Sequence, residues 1–206
     1  MTLYLLGAGG HCRSVIDVIE SLGHHSIEGI IGQVDEVGKK IMGYAVCGSD
    51  ADLEKFVSNG NSAFVTVGHI KSADLRKKLF NQLLDLRVEI PVVVSPQAYL
   101  SAHSDVRAGT ILMHGSVVNS CAEIGNNCII NSMALVEHDV KVGDHTHIAT
   151  RATLNGGVEV GTGCFIGSGS IVKEGVSIGD SVVIGAGSLV LKDVPAKSLV
   201  TGIFNG

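Results

Sequence analysis

The sequence predicts two units of different class in one chain: an α/β unit over residues 1–94, then an all-β parallel β-helix over residues 95–206. Three observations carry this. Aliphatic residues recur at every sixth position in the second half, glycine turns separate strand-like from helix-like segments in the first, and the composition changes near Val94-Ser95-Pro96. Helical patterns with Leu, Lys and Asp fill the first 90 residues, whereas Gly, Val, Ile, Ser and Asn dominate the rest.

The six-residue ladder comes first because internal repeats decide the architecture. Leu100, Val106, Leu112, Val118, Ile124, Ile130, Val136, Val142, Ile148, Leu154, Val160, Ile166, Val172, Ile178, Ile184 and Val190 are all aliphatic. At roughly one aliphatic in three positions, such a run of sixteen arises by chance about once in forty million trials. The residue two before each aliphatic is small, as at Ala122, Cys128, Ala134 and Ala152. Period six matches neither a 3.6-residue helix nor plain alternation. It matches short strands joined by tight corners, with positions i−2 and i facing inward and i−1 outward. Three sides make one 18-residue coil, and Gly or Asn directly after the aliphatic (Gly125, Gly143, Gly161, Asn131) is expected to supply the positive φ of the corner.

In the first unit, an apolar strand at residues 3–6 runs into Gly7-Ala8-Gly9-Gly10 and an amphipathic helix bearing Val15, Val18, Ile19 and Leu22, closed by Gly23. Further strands are expected at residues 27–31, 63–67 and 92–94, with helices after Ser49 or Asp50 and from Ser72 to Leu86. The alternation predicts a Rossmann-like parallel sheet with helices on both faces. The glycine turn is either a tight structural turn or a place where backbone amides and a helix dipole meet a pyrophosphate. NAD is disfavoured, because no acidic residue follows the second strand until Asp35.

Composition narrows function. A formal net charge of −5 argues against nucleic acid. Five cysteines without a C-x-x-C pair fit a reducing, cytoplasmic compartment. No apolar run of spanning length suggests a membrane partner. The densest ionisable cluster is Glu137-His138-Asp139, followed by His145 and His147. His138 and His147 both project from the helix surface, and a carboxylate beside His138 suits a general base. His145 sits at a corner and is expected to be solvated. One coil beyond His138 stands Gly156, whose N–H can donate to a carbonyl or its oxyanion. His138 and His147 lie half a coil apart, so they can share a site only across subunits, which predicts a cyclic trimer. Cys128 and Cys164 are inward-facing core residues.

The chain resembles the bacterial sugar acetyltransferases of the hexapeptide-repeat superfamily, grouped with sialic-acid O-acetyltransferases and bacillosamine-pathway N-acetyltransferases. The resemblance rests on GAGGH at residues 7–11, Arg76-Lys77-Lys78-Leu79, the EHD motif at 137–139, His147-Ile148, and Leu154-Asn155-Gly156-Gly157. It implies a left-handed β-helix and transfer of acetyl from acetyl-CoA, without a metal, to an amine or hydroxyl of a sugar or nucleotide-linked sugar. By the same resemblance His138 is the base and Asp139 its partner. His147, Gly156, Ser168 and Ala186 contact acetyl-CoA, and Gly7, Gly9, Gly10, His11, Asp35, Gly68 and Asn131 hold the sugar substrate. The family pattern is departed from at Gln33-Val34-Asp35, at His114 and in the closing residues 202–206. Two other readings of the residues stay open: a metal lyase of the γ-carbonic-anhydrase kind, although no H-x-x-x-x-H pair is present, and a non-catalytic sugar-nucleotide-binding protein.

Overall fold

The computed structural model describes residues 2–57 and 60–206. The N-terminal unit contains β1 (Thr2–Leu6), α1 (Gly10–Leu22), β2 (Ser26–Gly32), β3 (Lys40–Ile41), β4 (Tyr44–Ser49), α2 (Leu53–Val57), β5 (Ser62–Val65) and α3 (Asp74–Asp85). Its sheet order is β3-β4-β2-β1-β5. The β4, β2, β1 and β5 strands are parallel, and the expected all-parallel sheet is corrected at its edge, where β3 pairs antiparallel with β4. That hairpin was illegible because its two-residue edge strand carries no alternation to read.

The strand expected at residues 92–94 does not join this sheet. β6 (Val93–Val94) pairs with Ile111–Leu112 and forms the first rung of the second unit. From there, two-residue parallel strands stack into a left-handed β-helix with three sheets of seven, seven and five strands. The ladder aliphatics and the small residues two before them fill its interior, from Leu112 through Val200. Buried hydroxyls are satisfied inside the wall: Thr110 Oγ1 donates to the Gly125 carbonyl at 2.7 Å and accepts the Cys128 N–H at 2.9 Å.

The corners differ from expectation in one respect. Positive φ falls three residues after the aliphatic from Val106 through Ile184, as at Asn127, Asp139 and His145, and not on the residue directly after it. The glycines at that earlier position serve close approach between coils. A Cβ on Gly143 would lie 2.7 Å from the Gly161 carbonyl carbon, and one on Gly179 2.5 Å from the Ala196 nitrogen. No side chain fits where successive backbones stack so closely.

The three outer faces have different chemistry. The first presents Val93, Ile111, Ile129, His147, Phe165, Val183 and Leu199. Its lower half is covered by the N-terminal unit, whose Leu3, Cys12, Val15 and Ile16 share one buried cluster with Val93, Ile111 and Ile129. The second, an apolar face, presents Tyr99, Val117, Leu135, Thr153, Ile171, Leu189 and Ile203; the third presents Asp105, Glu123, Lys141, Glu159 and Ser177. No helix of the described residues is long and apolar enough to cross a membrane.

Arg76 of α3 ties the two units together. Its side chain is fully buried and donates to four carbonyls: Val65 (2.9 Å) and Val67 (2.8 Å) in the first unit, Asn127 (2.9 Å) and Gly109 (3.4 Å) in the second. Replacing it with Ala strands those acceptors in a dry interface. The expected result for Arg76→Ala is a loss of about 3–5 kcal/mol in urea unfolding at neutral pH; a loss below about 1 kcal/mol would show the tie to be dispensable.

Candidate functional site

The first half-site starts at the end of β1. Gly7 has φ 112°, a conformation reserved for glycine, and a Cβ there would collide with Val67 Cγ2. α1 then begins at Gly10 with Gly9 as its N-cap and no side-chain cap. Among the described residues nothing lies within 4 Å of where a Cβ would stand on Gly9 or Gly10. The start of α1 thus borders open space, and the Gly10 and His11 N–H groups have no backbone partner among the described residues, an arrangement suited to an anion. This space is a cavity of about 800 Å³ lined by Gly7, Gly9, Gly10, His11, Gly32, Glu36, Asp50, Gly68, His69, Lys71, Leu75 and His147, among others. Its size suits a small-molecule ligand. Asp35 is exposed and lines an adjoining hollow with Gln33, Ser49 and Asp50, outside the main cavity.

The cavity ends on three histidines. His147 leaves the β-helix outward, as expected, but lies under the N-terminal unit and is only 8 % exposed. Its Nδ1 is 3.0 Å from the His69 carbonyl, which can only accept, so the proton sits on Nδ1. Nε2 is then the acceptor for Asn131 Nδ2 at 3.0 Å. His69 Nε2 donates to the Cys164 carbonyl at 3.1 Å; its buried Nδ1, like the buried Nε2 of His11, has no partner among the described residues. The His147 ring centroid lies 5.6 Å from that of His69, 6.4 Å from His11 and 5.2 Å from Phe165. Burial, reinforced by the Arg76 charge, pushes His11 down to about 3; burial likewise brings His69 and His147 to about 4, each with a smaller contribution from Arg76. All three are neutral imidazoles at physiological pH.

The second half-site is at another corner. His138 is exposed, its Nδ1 donates to Asp139 Oδ2 at 2.8 Å, and this bond raises its pKa above the ordinary value. Nε2 is left free to take a proton. Asp139 adopts φ 61°, which a short polar side chain tolerates. The imidazole packs over Gly156, where a Cβ would come 2.6 Å from His138 Cε1, and the Gly156 N–H has no hydrogen-bond partner among the described residues.

Asn131 and His138 belong to the same coil and flank Leu135–Val136 of the apolar face. Exposed Ser168 and Ala186 stand two and three coils above Ser132, on the corner that carries Asn131. The structure thus gathers Gly7, Gly9, Gly10, His11, Gly68, Asn131 and His147 at one edge of that face and His138, Asp139 and Gly156 at the other. His145 is a corner residue with φ 60°, but its expected solvation is corrected: it is half-buried, edge-on to Phe80 at 5.6 Å, with Nδ1 2.9 Å from Asn127 Nδ2. Sequence reasoning missed His69, Glu36 and Asp50, because no spacing links them to the motifs they join in space.

The family model described as the PglD N-terminal domain matches residues 2–83, and that of the bacterial transferase hexapeptide (six repeats) matches residues 139–174 and 157–192. No curated protein matches. Among solved structures, PerB from Caulobacter crescentus in complex with CoA and GDP-perosamine is 31% identical, with a TM-score of 0.91 over 98% of this chain and 94% of that one. The acetyltransferase domain of PglB from Neisseria gonorrhoeae FA1090 is 27% identical, with a TM-score of 0.90 over 98% and 96%. The same domain has been solved with acetyl coenzyme A, at 26% identity and a TM-score of 0.89 over 98% and 96%.

The neutral histidines set a pH dependence. Their folded pKa values lie below the unfolded value near 6.5, so the unfolded chain binds protons first as pH falls. Their contribution to stability is complete above about pH 6.5 and is lost progressively toward pH 4. The urea midpoint is expected to fall between pH 7 and pH 5, and less steeply in His147→Gln; a midpoint flat over that window would contradict the assignment.

Proposed function

The chain belongs to the hexapeptide-repeat sugar acetyltransferases that carry a PglD N-terminal domain, and on that premise we propose that it acetylates an amine of a nucleotide-linked sugar in surface-glycan biosynthesis, using acetyl-CoA. Of the neighbours that resemble it over nearly their whole length, one is a GDP-perosamine N-acetyl transferase, solved with CoA and GDP-perosamine, and another is an acetyltransferase domain. The residues present fit both substrates. The open cradle at Gly9 and Gly10 suits a diphosphate, and the unpaired Gly156 N–H suits a thioester carbonyl oxygen.

In this reading the N-terminal cavity holds the nucleotide, with Asn131, His11 and His147 toward the sugar. The amine nitrogen attacks the thioester carbonyl carbon, its proton passes to His138 Nε2, and the CoA sulfur leaves as the thiolate. Asp139 holds the Nδ1–H tautomer that keeps Nε2 available. Ser168 and Ala186, on a corner without bulky side chains, flank the donor. His147 is already committed to Asn131 and the His69 carbonyl, so it acts as a fixed neutral wall of the site and not as a second base.

The observation that carries the reading is the placement of two incomplete half-sites at the two edges of one exposed apolar face. On that face Tyr99 is 57 %, Ile171 45 % and Ile203 71 % exposed, with Met133 at 63 % on its edge. A cyclic trimer packed through this face sets the cavity edge of one subunit against the His138 edge of the next. We place the enzyme in the cytoplasm, where its five free cysteines remain thiols.

His138→Ala is expected to lower acetyl-CoA consumption at least about a hundredfold, while light scattering still reports a trimer. In the wild type, kcat/KM rises with pH through an ionisation above 6.5, since Asp139 raises the His138 pKa. Asp139→Asn removes that charge and moves the acid limb to lower pH. A monomer in solution, or an acid limb unmoved by Asp139→Asn, contradicts the assignment.

A further inference from the structure

A second set of polar contacts, besides those of Arg76, joins the two units through His114, the histidine that departs from the family pattern. Ser95, the residue after β6, is 1 % exposed; its Oγ accepts the Gln97 N–H at 3.0 Å and lies 2.7 Å from His114 Nδ1. His114 Nε2 is 2.9 Å from Oδ2 of Asp17, on α1. The carboxylate can only accept, so the His114 proton is on Nε2, Nδ1 accepts, and the Ser95 hydroxyl donates. The order Ser-His-Asp is that of a hydrolase relay, but a serine this deeply buried is out of reach of any substrate. It is an anchor.

Apart from His11 facing His147 at its start, the rest of the buried contact between α1 and the β-helix is apolar, with Cys12, Val15 and Ile16 in one cluster with Val93, Ile111, Met113 and Ile129. Such packing is strong but non-directional, and it does not by itself fix the height of a helix on a sheet. Hydrogen bonds do. Asp17 lies six residues along α1 from His11, roughly 9 Å at 1.5 Å per residue. Ser95 stands two coils below Asn131 on the same corner. The tie therefore links the helix whose first turn roofs the cavity to the corner that carries the His147 partner.

We propose that His114 is a positioning residue: held between Ser95 and Asp17, it sets the height of α1 on the β-helix and so presents the nucleotide-sugar to the transfer site. This rests on the acetyl-transfer reading given above.

The test uses the full chain as wild type, His114→Ala, Asp17→Ala, Asp17→Asn and the His114→Ala/Asp17→Ala double variant. Activity is assayed with acetyl-CoA and a panel of UDP- and GDP-linked amino sugars, alongside amide hydrogen exchange. Asp17 is on the surface, so its variants keep the fold. Both Ala variants should raise KM for the sugar nucleotide about tenfold with KM for acetyl-CoA unchanged, and speed exchange in residues 13–20 by a similar factor. Asp17→Asn, which retains an acceptor, should stay within about threefold of wild type, and the double variant should be no worse than His114→Ala. Unchanged exchange in α1, additive losses, or an equal rise in KM for acetyl-CoA would overturn the positioning role while leaving the transfer reading intact. A wild type that acetylates no member of the panel would sink the transfer reading and the positioning role with it.

Discussion

Arg76 is the contact on which the joined architecture depends. It is a cation fully buried at the junction with no carboxylate paired to it among the described residues, and burial brings its pKa down to about 10. It remains charged at neutral pH because four carbonyls, two from each unit, take the place of water. Only a planar fork of donors reaches so many acceptors at once, so lysine is no substitute. The same charge lies close enough to His11, His69, His145 and His147 to oppose the protonation of each. One residue thus ties the N-terminal unit to the β-helix and adds to the burial that keeps the cavity's histidines neutral.

The 18-residue coil supplies the other constraint. Residues 18 apart stack directly, which puts the His138 imidazole over Gly156 and pairs Asn127 with His145. Identical side chains then acquire opposite properties from their corners. His138, in solvent beside a carboxylate, is more basic than a free imidazole, whereas His147, half a coil away and roofed by α1, is far less so. The first can take a proton at neutral pH, and the second has the fixed tautomer of a structural wall.

Much of this was legible in the sequence. The ladder from Leu100 to Val190 dictated the coils, the inward Cys128 and Cys164, and the outward His138, because period and alternation are local properties. The glycine turn before α1 was legible for the same reason. What escaped was set by contacts between distant segments. His147 reads as a surface residue until α1 and the His69 loop cover it, and β6 reads as the last strand of the first unit until its pairing with Ile111–Leu112 is seen. The glycines after each aliphatic looked like corners, yet their job is close approach between coils, a constraint that exists only once neighbouring coils are stacked. Asp17, His114 and Ser95 share no motif, so only the folded chain brings them together.

In the proposed trimer one subunit's cavity works with its neighbour's His138. Mixed trimers test this directly. One chain carries His138→Ala; the other carries Gly9→Trp, which fills the open cradle at the start of α1. Each alone is inactive. Random co-assembly places an intact cavity beside an intact His138 at about one interface in four, so activity near a quarter of wild type is expected. No recovery of activity in the mixture would place both halves of the site within one subunit and contradict the account.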